Sequence, residues 1–262
     1  MKGTARKWCP WMPEKSFPGV WCDGLLRGKM TERIFRKPSL YWIFRTIRLQ
    51  SLLMDRIRVY TGGVASCNGY LFKTKDNTYV AVDAPSGFAD WIYSKKPDII
   101  ITDLLITHQH FDHVEDACRM RQIFGCRIHA GQPYSEDLTL EKMARDAWGL
   151  PLNVQPFVVD EVLTQNIHTA DWGGLLWHLH QVPGHSPDSI VYDLPDEGIM
   201  FAGDVIFAGS IGRTDLPGGN LRLLKQGIET KVLNQPATTR IFPGHGPYTT
   251  VKNELLTNPF IS

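Results

Sequence analysis

From Met54 onward, apolar positions recur at two spacings, every second residue and every third to fourth, and together they describe a mixed α/β chain. Residues 56–61 and 68–73 alternate as strands do, and the polar tip Lys75-Asp76-Asn77 turns the second into a third strand over 79–83. Residues 100–107 form an apolar run of strand length. Helices are expected over 114–124 and 138–148, each followed by a glycine, Gly125 and Gly149, that suits a helix C-terminus. A strand over 127–130 lies between them. Further strands are expected over 175–179, 189–193, 199–202 and 239–242, with a helix near 221–232. There is no fixed-period repeat, so one α/β domain covering 54–262 is the economical reading.

Residues 1–53 do not follow this pattern. They hold eleven Lys or Arg against Glu14, Asp23 and Glu32, a formal +8, whereas the whole chain is +1 and the remainder therefore −7. Pro10, Pro13, Pro18 and Pro38 interrupt any long helix. The segment reads as a basic extension outside the core, with residues 40–53 as a short basic amphipathic helix. It lacks the layout of a signal peptide.

Composition narrows the class. The chain has 262 residues, 43% hydrophobic and 21% charged, which is ordinary for a globular protein. Its apolar runs reach about five residues, far short of the roughly 20 a membrane helix needs. Cys9, Cys22, Cys67, Cys118 and Cys126 are odd in number and include no CxxC pair. Free thiols in a reducing, cytoplasmic compartment are expected. No nucleic-acid partner is expected, and the oligomeric state is left open.

The chemistry concentrates in Thr107-His108-Gln109-His110-Phe111-Asp112-His113, where an apolar strand ends and a helix is expected to begin. Residues two apart on an extended backbone project to one side, so His108 and His110 can share an ion. Asp112 and His113, where the chain bends into the helix, can address a second ion nearby. Imidazole and carboxylate without thiolate suit a catalytic site for zinc, iron or manganese. Three more candidates, His185, Asp204 and His245, each follow a glycine directly after an expected strand, in Pro183-Gly184-His185, Ala202-Gly203-Asp204 and Pro243-Gly244-His245. His178 and His180 lie inside a strand and read as packed on one sheet face. His129 and His168 have no partners in sequence, and Gly62-Gly63 reads as a turn.

HxHxDH followed by a single His, a single Asp and a final His resembles the metallo-beta-lactamase superfamily over nearly all of 54–262. The run from Gly203 to Gly219, with Gly212-Arg213-Thr214-Asp215, and the ending Pro243-Gly244-His245-Gly246-Pro247 are similar to the glyoxalase II-like (hydroxyacylglutathione hydrolase-like) enzymes. The resemblance implies a four-layer αββα sandwich. It further implies a first metal on His108, His110 and His185, a second on Asp112, His113 and His245, and Asp204 bridging both, with two divalent ions and zinc the first expectation. Arg213, Asp215 and Tyr248 are candidates for substrate or supporting contacts. The implied activity is hydrolysis of small-molecule acyl thioesters by metal-activated water, with Asp112 and Asp204 as catalytic carboxylates. Only 17 residues follow His245, and Pro247 stands where the glutathione-hydrolysing enzymes tend to have Tyr, so a weak hold on glutathione is expected. Rival readings are a persulfide dioxygenase using one iron, a lactonase or beta-lactamase, and a non-catalytic metal-binding module.

Overall fold

The structure, a computed structural model, describes residues 55–261. The chain divides into two units at Ser51, and the described residues belong to the second, Leu52–Ser262. The helix expected over 40–53, together with Cys9 and Cys22, lies outside the described residues.

Two six-stranded sheets organise the domain. The first contains β1 (Ile57–Gly62), β2 (Cys67–Lys73), β3 (Tyr79–Val82), β4 (Ile101–Leu105), β5 (Arg127–Ala130) and β6 (Glu161–Val162) in that order. Its first three strands are antiparallel, and β3 to β6 are parallel. The second sheet contains β7 (Thr169–Trp172), β8 (Leu175–Gln181), β9 (Ile190–Leu194), β10 (Ile199–Gly203), β13 (Arg240–Pro243) and β14 (Thr249–Thr250). A small ribbon of β11 (Ile206–Phe207) and β12 (Ser210–Ile211) follows β10.

Period-two alternation explains the layering. Along β2, Tyr70 and Phe72 face the second sheet while Leu71 faces the other way; along β10, Ile199 and Phe201 face inward while Met200 and Ala202 face outward. Trp177, Tyr192, Phe201 and Phe242 fill the space between the sheets, with Phe72 edge-on to Trp177 at 6.0 Å. Each such aromatic pair contributes about 0.5–1.5 kcal/mol beyond its buried area. The outer face of the first sheet is covered by α1 (Phe88–Lys95), α3 (Ala117–Phe124) and α5 (Glu141–Trp148), and that of the second by α6 (Leu221–Gly227), a π turn (Ile228–Val232) and α7 (Val251–Thr257). The four-layer αββα sandwich implied by the sequence is thus the observed fold.

Several local expectations need correcting. The helix expected over 114–124 begins at Phe111 as α2 (Phe111–Val114) and breaks before α3. The break follows from Asp116, whose N–H donates to the Ala84 carbonyl at 2.9 Å and whose carboxylate accepts from Ala89 N at 2.9 Å. The helix expected over 138–148 is two, α4 (Glu136–Thr139) and α5, separated by Leu140 in the left-handed region at φ 54°. Thr139 Oγ1 accepts from Glu141 N at 3.2 Å and starts the second. The helix expected over 221–232 leaves α-geometry at Ile228. Strands β6, β7, β11, β12 and β14 and helices α1 and α7 had no counterpart among the expected elements.

Strand direction determines where the loops gather. β8, β10 and β13 run the same way in the second sheet, so the residues after them emerge at one edge. Ile190 N donates to Thr107 O at 2.8 Å and Asn68 N to Gly244 O at 2.7 Å, which joins that edge to the ends of the first sheet.

Candidate metal centre

His108 and His110 lie on the short loop leaving β4, and Asp112 and His113 occupy the first turn of α2 rather than the bend before it. His185, Asp204 and His245 follow β8, β10 and β13. All seven candidates meet at the shared sheet edge. Close approach explains the glycine before each of the last three. A Cβ on Gly184, whose φ is +138°, would lie 2.5 Å from Leu224 N, and one on Gly244 would strike the Asp204 carboxylate. Tyr70 OH donates to the Pro243 carbonyl at 2.6 Å and Asn68 Nδ2 to the Gly246 carbonyl at 2.9 Å, so β2 holds the His245 loop from below.

Three imidazoles form one cluster. His108 Nε2, His110 Nδ1 and His185 Nε2 are mutually 3.0–3.2 Å apart. Two of the other ring nitrogens have partners. His185 Nδ1 donates to the Arg213 carbonyl at 2.8 Å, and Thr107 Oγ1, which donates to Asp83, accepts from His108 Nδ1 at 3.2 Å. His108 and His185 therefore turn lone pairs, not protons, toward the common point. Burial, with the surrounding imidazoles, holds His108 well below its ordinary pKa; burial followed by the like charge of His185 brings His110 down to about 3. Burial also lowers His185. A buried knot of neutral imidazoles with facing lone pairs is a cation cradle.

The second cluster mixes signs. His245 Nε2 lies 3.2 Å from Asp112 Oδ2 and 3.5 Å from Asp204 Oδ2, and His113 Nε2 lies 3.3 Å from Asp204 Oδ1. Burial opposes charge on His245, but hydrogen bonds to Asp112 and Asp204 outweigh it and raise its pKa to about 10. Burial likewise opposes the His113 imidazolium, and the carboxylates of Asp112, Asp83 and Asp204 outweigh it. Both carboxylates are held below their usual range, because the charge of His113 and hydrogen bonding from His245 exceed the burial penalty. Asp204 stands between the clusters, with Oδ2 also 3.6 Å from His185 Nε2.

The donor set fits metal ions. His113 Nε2 and Asp204 Oδ1 are buried, have no further hydrogen-bond partner among the described residues, and face each other at 3.3 Å, a contact that a cation held by both atoms would replace. The groupings His108, His110, His185 and His108, His113, Asp204 each bring their ligand atoms within 4.8 Å of one another, as do Cys67, Asp112, His113 and His245. We read Cys67 as packing, because its Sγ touches His113 Nδ1 at 3.6 Å, on the side of the ring away from Nε2, and burial pushes its thiol far up.

Some residues that shape the centre were not among the sequence candidates. Asp83, just past β3, accepts from His113 Nδ1 at 2.8 Å and from Thr107 N and Oγ1, both at 2.8 Å. It fixes His113 Nδ1 as a donor and leaves Nε2 turned toward Asp204. Asp188 accepts from Gln109 N at 3.0 Å, steadying the chain between His108 and His110. A strand-ending Asp was the available cue for Asp83. Cys67 and Asp188 offered none.

The remaining candidates lie further out. Arg213 forms a two-pronged exposed ion pair with Asp215, at 2.7 Å through each nitrogen, and its backbone holds His185. Tyr248 is exposed, packs on Phe242 at 5.7 Å and does not line the cleft above the centre. His178 and His180 share the outer face of β8, away from both clusters, with His180 Nε2 3.5 Å from Asp193. His129 is buried between Asp103 and Glu161, at 2.8 and 3.1 Å, and His168 is exposed. Cys67, Cys118 and Cys126 are free. Among the described residues no helix is long and apolar enough to cross a membrane.

Above the clusters opens a cleft of about 360 Å³, with His110, Asp112, His185, Asp204 and His245 at its floor. The floor alone is strongly polar. The walls are mostly apolar, with Arg213 the charged exception among the described residues lining them.

Comparison with known proteins agrees with this geometry. The chain is similar to hydroxyacylglutathione hydrolase GloC of Haemophilus influenzae, 34% identical over 191 residues that cover 71% of this chain and 89% of the relative. Its fold resembles the crystal structure of BLEG-1 B3 metallo-beta-lactamase, with a TM-score of 0.69 and 30% identity over 79% of this chain and 99% of that one. It also resembles TTHA1623 in a di-iron-bound form, with a TM-score of 0.65 and 31% identity over 78% and 99% of the two chains. The family model of the metallo-beta-lactamase superfamily matches residues 63–245, from the turn after β1 to the last histidine of the centre. With the sandwich, the strand-end ligands and this match in agreement, the chain belongs to the metallo-beta-lactamase superfamily.

Proposed function

We propose that this chain is a hydrolase of acyl thioesters that works with two divalent cations, one on His108, His110 and His185, the other on Asp112, His113 and His245, with Asp204 shared between them. The observation that carries this reading is the position of Asp204, whose Oδ2 lies 3.6 Å from His185 of the first cluster and 3.5 Å from His245 of the second, with Oδ1 3.3 Å from His113. Bound cations of this kind supply Lewis acidity toward a carbonyl oxygen and lower the pKa of water toward neutrality. Zinc is the first expectation, and the di-iron form of TTHA1623 makes iron the second metal to test.

The chain's own groups do the rest. Asp83 and the Arg213 carbonyl hold His113 and His185 in the tautomers that face the centre. Asp112, at the cleft floor, accepts the proton of the attacking water. Water adds to the acyl carbon, the carbon–sulfur bond breaks, and the thiol portion leaves as thiolate. A thiolate needs no proton on departure, which suits a cleft whose floor offers no separate acid. The similarity to hydroxyacylglutathione hydrolase GloC supports a thioester over other acyl compounds. Residues 54–262 are the catalytic domain in this reading, and 1–53 an extension outside it.

A second reading, hydrolysis of a beta-lactam amide, is favoured by the likeness to BLEG-1. Turnover of S-lactoylglutathione, simple acyl thioesters, a lactone and a beta-lactam by zinc-loaded and iron-loaded protein separates the readings. Thioester turnover exceeding the others is expected. Beta-lactam turnover alone would replace the proposal.

A further inference from the structure

The cleft walls specify more than a reaction class. One wall is Leu140, Met143 and Trp148, from α5 and the left-handed residue just before it; the opposite wall is Phe207, Ile211 and Leu216, from the ribbon and the loop beyond β10. None of the six can hydrogen-bond a polar acyl chain, except through the indole N–H of Trp148 and, weakly, the Met143 sulfur. The one charged side chain among the described residues on these walls, Arg213, is already engaged by Asp215 through two hydrogen bonds. Past Leu140 and Met143 lies a second hollow edged by Glu136, Asp137 and Asp146 against a single Lys142, an acidic surplus that disfavours any anionic group emerging there.

Trp148 is 48% exposed and Met143 half-buried. Large apolar side chains left open beside a polar floor gain by being covered when a ligand enters. The geometry points to a substrate whose acyl arm is apolar, uncharged and longer than acetyl, lying between Met143 and Trp148 on one side and Phe207 and Leu216 on the other. This inference rests on the thioester reading and names the part of the substrate that the cleft selects. A lactoyl arm, with its hydroxyl, exploits these walls poorly.

The test uses zinc-loaded full-length chain and one thiol, N-acetylcysteamine, carrying acetyl, butyryl, hexanoyl or octanoyl arms and a hexanoyl arm ending in carboxylate. Expected is a rise in kcat/KM of about threefold per added methylene until the cleft is filled, with the carboxylate-ended arm at least about tenfold below its uncharged counterpart. In Trp148→Ala and Met143→Ala the same ladder flattens, a comparison made within each variant and therefore independent of its overall activity. Binding gives a readout apart from turnover. Straight-chain carboxylates of the same lengths should tighten along the same ladder, followed as the fluorescence difference between wild type and Trp148→Phe.

A flat acyl ladder with good thioester turnover would overturn this inference and leave the thioester reading standing. So would a ladder that follows the thiol portion instead. Absent thioester turnover with the carboxylate ladder intact would sink the thioester reading while keeping the apolar ligand. Loss of both would sink both.

Discussion

The two halves of the candidate metal centre both rest on imidazoles and prepare them in opposite ways. Around His108, His110 and His185 burial and the neighbouring imidazoles outweigh the Asp204 and Asp112 carboxylates and keep the rings neutral. Around His113 and His245 it places Asp83, Asp112 and Asp204, and the imidazoles hold protons. The first half waits with lone pairs exposed, whereas the second is already satisfied by protons that an arriving cation must displace. Filling order, pH sensitivity and sensitivity to mutation should therefore differ between halves that lie within a few ångströms of each other.

The largest effect is expected where the comparison collapses. Asp204→Asn weakens the anion shared by both halves, so metal content should fall toward zero and activity by more than about a hundredfold, further than for Asp112→Asn. Elemental analysis beside kinetics checks this; a variant that keeps its metal would show that the halves do not share Asp204. Next come His185→Ala and His245→Ala, each expected to remove one ion while leaving the other, with His178→Ala as the control that loses none. If His178→Ala loses metal as His185→Ala does, the assignment of the first half is wrong.

Asp83→Asn separates the halves more finely. The amide has one accepting oxygen and carries no charge, so it cannot accept from Thr107 N on one side and from His113 and Thr107 Oγ1 on the other as the carboxylate does, and the second ion should bind about 10–100-fold more weakly, with a smaller effect on the first. Competition with a chelator measures both.

pH sharpens the contrast further. In the metal-free protein His245 stays protonated up to about pH 10, so an ion entering the second half expels that proton, and its affinity falls as pH drops. The dependence is about tenfold per pH unit for each proton released. The first half carries neutral imidazoles, with His110 at about 3, so its affinity should be nearly level through the neutral range. Calorimetry in buffers of different ionisation enthalpy counts the protons; equal release in both steps would erase the distinction. The smallest effect concerns the basic segment. Removing residues 1–53 is expected to leave the melting temperature and activity almost unchanged, and a large fall in either would place the segment in the fold or the site.

The layers of the sandwich were legible because alternation in residues such as Tyr70, Leu71 and Phe72 assigns each to one face without knowledge of the partner. The seven ligand candidates were legible because their chemistry is unusual in sequence: His108 to His113 cluster within six residues, and the other three follow a glycine after a strand. What escaped depends on tertiary contact. Asp83 is an ordinary strand-ending Asp until His113 and Thr107 fold onto it. The break at Leu140 comes from one residue in the left-handed region, in a stretch whose periodicity runs on unbroken. The short strands β6, β11, β12 and β14 have two residues each, too few to show a period.

The most direct measurement is metal stoichiometry under titration. Chelator-stripped full-length chain, titrated with zinc at neutral pH and followed by calorimetry with elemental analysis of the product, should saturate at two ions per chain in two resolved steps. The second step should be the one that releases protons. Saturation at one ion, with no further uptake when zinc is replaced by iron or manganese, would contradict the paired centre.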